Sequence, residues 1–202
     1  MIEKKPKPIT SLVKPRGDFK TLLTYQKAEI IYDLTFHFAH THLGKGDRTV
    51  DQMIQAARSG KQNIAEASAA AVTSAETEIK LTNVAKASLT ELRLDYEDFL
   101  RVRQLRIWEK DSKEATYLRN KSRDTSLTSA WYVGVAKERP PETVANMCLC
   151  LLYQADYLLQ RQLAALEENF LAQGGFKERM FAARQQSRSK SQNSQYSQNS
   201  QY

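Results

Sequence analysis

Apolar residues recur along this chain at intervals of three and four, the spacing that gathers side chains on one face of an α-helix. Between residues 18 and 43, Leu23, Ile30, Leu34 and Phe38 form one such stripe, with Asp18 as the expected N-cap and "LGKGD" as the stop. A second helix is expected from Thr49, which forms a capping box with Gln52 and turns Val50, Ile54, Ala57, Ile64 and Ser68 inward. Ser74 is the expected cap of a third, running to residue 101 with Leu81, Ala85, Leu89, Leu92, Tyr96 and Phe99 on its inner face. The fourth, over 143–172, carries two adjacent stripes: Val144, Cys148, Leu151, Ala155 and Leu158, then Leu152, Leu159, Leu163, Leu166 and Phe170. Two stripes on one helix imply contact with more than one neighbour.

The pattern predicts an all-α fold, an up-down four-helix bundle over 18–175 with an insertion at 102–142 between helices three and four. Composition agrees, because seven glycines and five prolines in 202 residues are few for a sheet protein rich in turns. Outside the bundle, 1–17 reads as a basic flexible arm containing Pro6, Pro8 and Pro15, and 176–190 as a short basic helical suffix after Gly174 and Gly175. Residues 191–202, "SQNSQYSQNSQY", repeat a polar hexapeptide that cannot bury enough surface to fold, so disorder is expected. No charged-then-apolar leader opens the sequence and no run approaches ~18 apolar residues. A soluble, cytoplasmic protein with no membrane partner is the expectation.

"RSGKQNIAEAS" at 58–68 has the Ser-Gly-Lys of a phosphate-binding loop. A Walker loop also needs a glycine five positions before its Gly-Lys pair and a preceding strand; Gln55 stands there, and helix precedes it. The small residues instead read as a packing seam, with Gly60, Asn63, Ala65 and Glu66 as its helix-packing residues, since a mid-helix glycine costs about 1 kcal/mol and needs a close neighbour to justify it.

Other chemistry is sparse. His37, His40 and His42 lie close in sequence, but no carboxylate completes a site and the Glu-x-x-His pairs of di-iron bundles are missing, so neither a metal nor another cofactor is expected. Glu91, Asp95 and Asp98 read as helix-surface charges for Arg93, Arg101 or another helix. The Ser-x-x-Lys pairs Ser11/Lys14 and Ser187/Lys190 fall in segments too mobile for a preorganised nucleophile. Cys148 and Cys150, the only two cysteines, read as small core residues. A non-enzymatic protein is expected.

Charge is more informative. The net charge is +7, which favours an anionic partner. Eight cations crowd into 101–123 (Arg101, Arg103, Arg106, Lys110, Lys113, Arg119, Lys121 and Arg123) against Glu109, Asp111 and Glu114, interleaved with Trp108 and Tyr117. Cations neutralise phosphates and aromatic faces stack on unpaired bases, so the segment has the composition of an RNA or DNA contact. The other reading of the same residues is a solvated face with Trp108 anchoring the insertion.

Three stretches resemble a known family: "FKTLLTYQKAEIIYDLT" at 19–35, "QMIQAARSGKQNIAEAS" at 52–68 and "NVAKASLTELRLDY" at 83–96. They are similar to the four-helix-bundle proteins encoded in intervening sequences of bacterial 23S ribosomal RNA genes, relatives of the accessory proteins of diversity-generating retroelements, and 151–180 looks like the subgroup with a C-terminal suffix. The resemblance implies a homo-oligomeric ring, a pentamer by first guess, with RNA or DNA and a reverse transcriptase as partners. One departure is plain: the family commonly has Gly and basic residues after Asn-Ile-Ala-Glu, whereas this chain continues "ASAAAVTSAE". Its positive charge lies instead in the arm, the insertion and the suffix. The function expected is therefore an oligomeric nucleic-acid-binding accessory protein; the alternative is a ring-forming scaffold that recruits protein without touching nucleic acid.

Overall fold

The computed structural model describes residues 18–173 together with 178, 180–185 and 187–189. The arm at 1–17 and the tail at 191–202 lie outside the described residues, and those residues of the suffix that are described are helical. The rest is all-helical: a 3-10 turn at Phe19–Thr21, then α1 (Leu23–His42), α2 (Arg48–Ala70), α3 (Ala75–Val102), α4 (Lys113–Lys121), α5 (Ser129–Lys137) and α6 (Pro141–Gln173). Among the described residues no helix is long and apolar enough to cross a membrane.

The boundaries follow local chemistry, with two corrections to the sequence reading. Asp18 caps the 3-10 turn, accepting from the Lys20 amide at 3.0 Å, and α1 starts only after Leu22 has adopted extended backbone. Leu23 then sits on the first turn and is 51% exposed; it is not a core residue. In α2 the cap is Asp47, whose carboxylate accepts from the Thr49 amide at 2.9 Å, so Thr49 is already helical. Ser74 does cap α3, accepting from Thr77 at 3.1 Å. That helix ends without glycine. Gln104 takes φ 55, while the Leu105 amide donates to the Leu100 carbonyl at 2.9 Å and the Gln104 amide to Arg101 at 3.1 Å, the paired bonds of a Schellman stop.

α1 packs against α2, α5 and α6, α2 against α3, α3 against α6, and α4 against α6. Where the four long helices meet, Phe38 of α1 lies 5.0 Å from the Tyr96 ring and 4.9 Å from the Phe99 ring of α3, centroid to centroid. The buried Tyr96 hydroxyl donates to Thr35 Oγ1 at 3.1 Å, so the aromatic core carries no orphaned phenol. At Gly60 α2 and α3 approach closely: a Cβ there would sit 2.5 Å from Leu89 Cδ2 and 2.7 Å from Cγ, so any side chain forces Leu89 aside. Beside it, Ser59 and Ser88 hydroxyls meet at 2.9 Å.

Most of the second stripe of α6 finds its cover within the same chain: Leu152, Leu159 and Leu163 are buried, Leu166 and Phe170 half-buried. Residues 144–149 are all buried, because α1 and α3 take one side and the insertion takes the other, with Leu105, Trp108, Leu118 and Tyr132 packed on the common core. Asn146 pins this arrangement. Its side-chain oxygen accepts from the Trp108 amide at 2.7 Å, and its amide nitrogen donates to the Arg106 and Glu142 carbonyls, each at 2.8 Å.

Candidate nucleic-acid interface

α4 is short, and its two faces differ sharply. Ser112 caps it, accepting from the Ala115 amide at 3.2 Å, and Ala115, Leu118 and Ser122 turn inward. Lys113, Tyr117 and Lys121, spaced by four, share the opposite face and are all exposed, Tyr117 by 59%. The result is an aromatic ring between two ammonium groups. Lys110 and Arg123 are also exposed on the flanking turns. No ion pair among the described residues engages any of these four cations.

The remaining cations of the segment are committed to internal contacts. Arg101 bonds Asp98 at 2.6 Å, Arg106 approaches Glu114 at 3.6 Å, and Arg119 pairs with Asp111 at 3.8 Å while donating to the Lys110 carbonyl and to Thr116 Oγ1. Arg103 lies over the Phe99 ring, 4.1 Å from its centroid. Trp108 is half-buried and packed on the core, which is the anchoring reading of that residue. Tyr117, not Trp108, is the aromatic that the segment holds out to solvent.

In the α2 seam the sequence-predicted packing residues part company. Gly60 is buried at the contact and Ala65 is half-buried against the core. Asn63 donates within its own helix, to the Ser59 carbonyl at 2.9 Å and hydroxyl at 3.2 Å. Glu66 is exposed, so its assignment to packing is wrong: position 66 lies on the outer face, away from Ile64 and Ala67.

Periodicity alone did not single out a second aromatic and cationic surface. Tyr153 and Tyr157 of α6 are 51% and 58% exposed, with the Arg93 guanidinium 5.4 Å from the first ring centroid and that of Arg161 5.9 Å from the second. The available signal is the pair of tyrosines four apart, off the two apolar stripes of α6. Tyr153 also donates to Glu97 at 3.0 Å, and Glu97 pairs with Arg93 at 2.8 Å.

Among the described residues the acidic cluster of α3 is divided between a paired and an unpaired carboxylate. Asp98 is held by Arg101, while burial, then Glu91 and Asp98, push the Asp95 carboxyl up to about 6 with no basic partner facing it. Burial pushes the Cys148 thiol up to about 12 and the Cys150 thiol up to about 11, which favours the protonated form of both. His40 bonds the Phe36 carbonyl through Nδ1 at 2.8 Å, and the Nε2 atoms of His37 and His42 are buried without a partner. Burial, then the His37 charge, holds His42 below the usual imidazole range. His37 and His40 edge a shallow, largely apolar groove of about 580 Å³ between α1 and α5. Among the described residues no cluster of three His, Cys, Asp or Glu is placed to hold a metal ion. Of the Ser-x-x-Lys pairs, Ser11, Lys14 and Lys190 lie outside the described residues.

No protein-family model, curated protein or solved structure matches the chain.

Proposed function

We propose that this chain is a non-enzymatic, cytoplasmic nucleic-acid-binding accessory protein that contacts single-stranded or structured RNA or DNA through the outer face of α4. The observation that carries the reading is the Lys113–Tyr117–Lys121 face, exposed and with no ion pair to another described residue, with Lys110 and Arg123 alongside. Two ammonium groups bracketing a ring match a phosphate–base–phosphate stretch, since each cation releases condensed counterions and the ring stacks on whichever base is presented. In this reading the four long helices run up and down. The Lys86–Asp156 contact at 3.7 Å and the Tyr153–Glu97 bond pair later α3 positions with earlier α6 positions, as antiparallel helices do. The resemblance noted from sequence adds a homopentameric ring, in which several copies of α4 bind one strand together, and a reverse transcriptase as protein partner.

Affinity for a short single strand is expected to fall steeply with salt, and the triple substitution Lys113→Ala, Tyr117→Ala, Lys121→Ala to weaken binding at least about tenfold, with stacking worth about 1–3 kcal/mol per base. The logarithmic salt slope should shrink by about 1.4, two phosphate contacts at about 0.7 each. Fluorescence anisotropy titrations at several salt concentrations measure both. Absence of binding at low salt favours the scaffold reading.

A further inference from the structure

We propose that Lys27 is a covalent modification site, an amine that small activated acyl donors, acyl phosphates or thioesters, acylate ahead of the exposed lysines. The placement of the side chain carries the inference. Lys27 is half-buried on α1, and its ammonium donates at 2.8 Å to the main-chain carbonyl of Ser122, which terminates α4. No carboxylate among the described residues pairs with it.

Each facing element withholds a counter-charge. On α1 the residues one turn away are Leu23, Thr24, Ile30 and Ile31, all uncharged. At the end of α4, Ser122 is flanked by the cations Lys121 and Arg123, and the nearby Asp124 carboxylate is occupied by the Ser126 amide at 3.0 Å and hydroxyl at 2.6 Å. α6 presents Gln154, which accepts from the Ser122 hydroxyl at 2.8 Å and leaves its own amide nitrogen buried without a partner. One turn earlier stands Cys150, a protonated thiol. An ammonium so enclosed has lost water and gained only a neutral acceptor. Burial accordingly pushes Lys27 down to about 8.

The reaction balances without a further co-reactant. The neutral Nζ attacks the acyl carbonyl carbon, a C–N bond forms, and the C–O or C–S bond breaks as phosphate or thiolate leaves with the electron pair. The proton from nitrogen passes to water. The product amide keeps one N–H for the Ser122 carbonyl, so the α1–α4 tether survives while a poorly solvated charge disappears.

At neutral pH about one-tenth of Lys27 is free amine, against about one in 2,500 for a lysine with the ordinary value near 10.4. A weaker base is a weaker nucleophile, with a Brønsted slope near 0.4–0.5 for thiols, which leaves an expected advantage of about tenfold. The test treats the full chain briefly with limiting acetyl phosphate, or in a second arm an acetyl thioester, and maps acetylated lysines by mass spectrometry at pH 6–10. Lys27 is expected to react about tenfold faster than the exposed Lys113 and Lys137, with its rate levelling near pH 8. A carboxylate placed one turn away by Leu23→Glu, at an exposed position, should slow Lys27 several-fold and leave Lys113 unchanged. Acetylation of Lys27 no faster than of Lys113, a rate still climbing to pH 10, or indifference to Leu23→Glu overturns the proposal.

Discussion

Asp95 shows how a residue's neighbours invert an ordinary property. It lies on α3 between Glu91 and Asp98, and burial together with those two charges raises its carboxyl to about 6 in the folded chain, against about 3.9 unfolded. The folded state therefore holds the proton more tightly, so the stability this group contributes is present below pH 4 and lost as pH rises through 6. Asp95→Asn should melt at a higher temperature than the parent at pH 7, the two curves converging by pH 4. Calorimetric melting temperatures across that range check this, and parallel curves reject it. The sequence made the acidic cluster visible but assigned it salt-bridge partners. The structure gives Asp98 to Arg101 and directs Arg93 to Glu97, leaving Asp95 without a cation among the described residues. Gly60 is the contrasting case, legible at once because a glycine inside a long helix demands a close neighbour, found here as Leu89.

Among the elements, the insertion departs most from what its sequence displays. Between α3 and α4 the chain has few apolar residues and an unannounced helix stop at Gln104, where a left-handed conformation is accepted without glycine. What holds the segment is Asn146, 1% exposed and bonded to both Trp108 and Arg106. Asn146→Ala would leave the Trp108 amide and the Arg106 carbonyl without their partner, at about 1–3 kcal/mol for an unsatisfied group. Melting is expected about 2–10 °C lower. Limited proteolysis should then cut first within 103–112. An unchanged melting point and cleavage pattern would show that the Trp108 ring alone anchors the insertion. This asparagine was invisible in the sequence because its neighbours in "ANMCLC" read as an ordinary apolar helix face.

For the assembled protein, the structure alters the argument for oligomerisation. The second stripe of α6 implies contact with more than one neighbour, and those neighbours lie largely within one chain: Leu152, Leu159 and Leu163 are buried, Leu166 and Phe170 half-buried. The proposal of a ring now rests on the resemblance and on the residual apolar surface of α3 and α6, including Leu94, Tyr153 and Tyr157, each about half exposed. Sedimentation velocity over a dilution series should give one species at a multiple of the 23.1 kDa chain mass, five-fold for a pentamer. A monodisperse 23.1 kDa species at micromolar concentration rejects the ring. It leaves the α4 reading intact, because that face needs no second copy.

Helix content, the cap at Ser74, the inner face of α3 and the long C-terminal apolar helix are readable from residues three and four apart, because a helix's amphipathic face and its capping bonds are local; on α2 the expected Ala57 and Ile64 are buried, but Met53, Ala56 and Ala67 complete the face where Val50, Ile54 and Ser68 are only half-buried. The positive charge of 101–123 was equally legible, being a matter of composition. Which cations stay free was not. That depends on pairings across folded distance, as do the anchoring of Trp108 by Asn146, 38 residues on, and the tether from Lys27 to Ser122, 95 residues away. Leu23 and Glu66 mark the same limit from the other side: each fits a local pattern, and only the packing of helices around them turns one apolar side chain outward and leaves one presumed seam residue in solvent. Burial and charge pairing are properties of the neighbours a position acquires, and one-dimensional spacing does not specify neighbours brought in from distant parts of the chain.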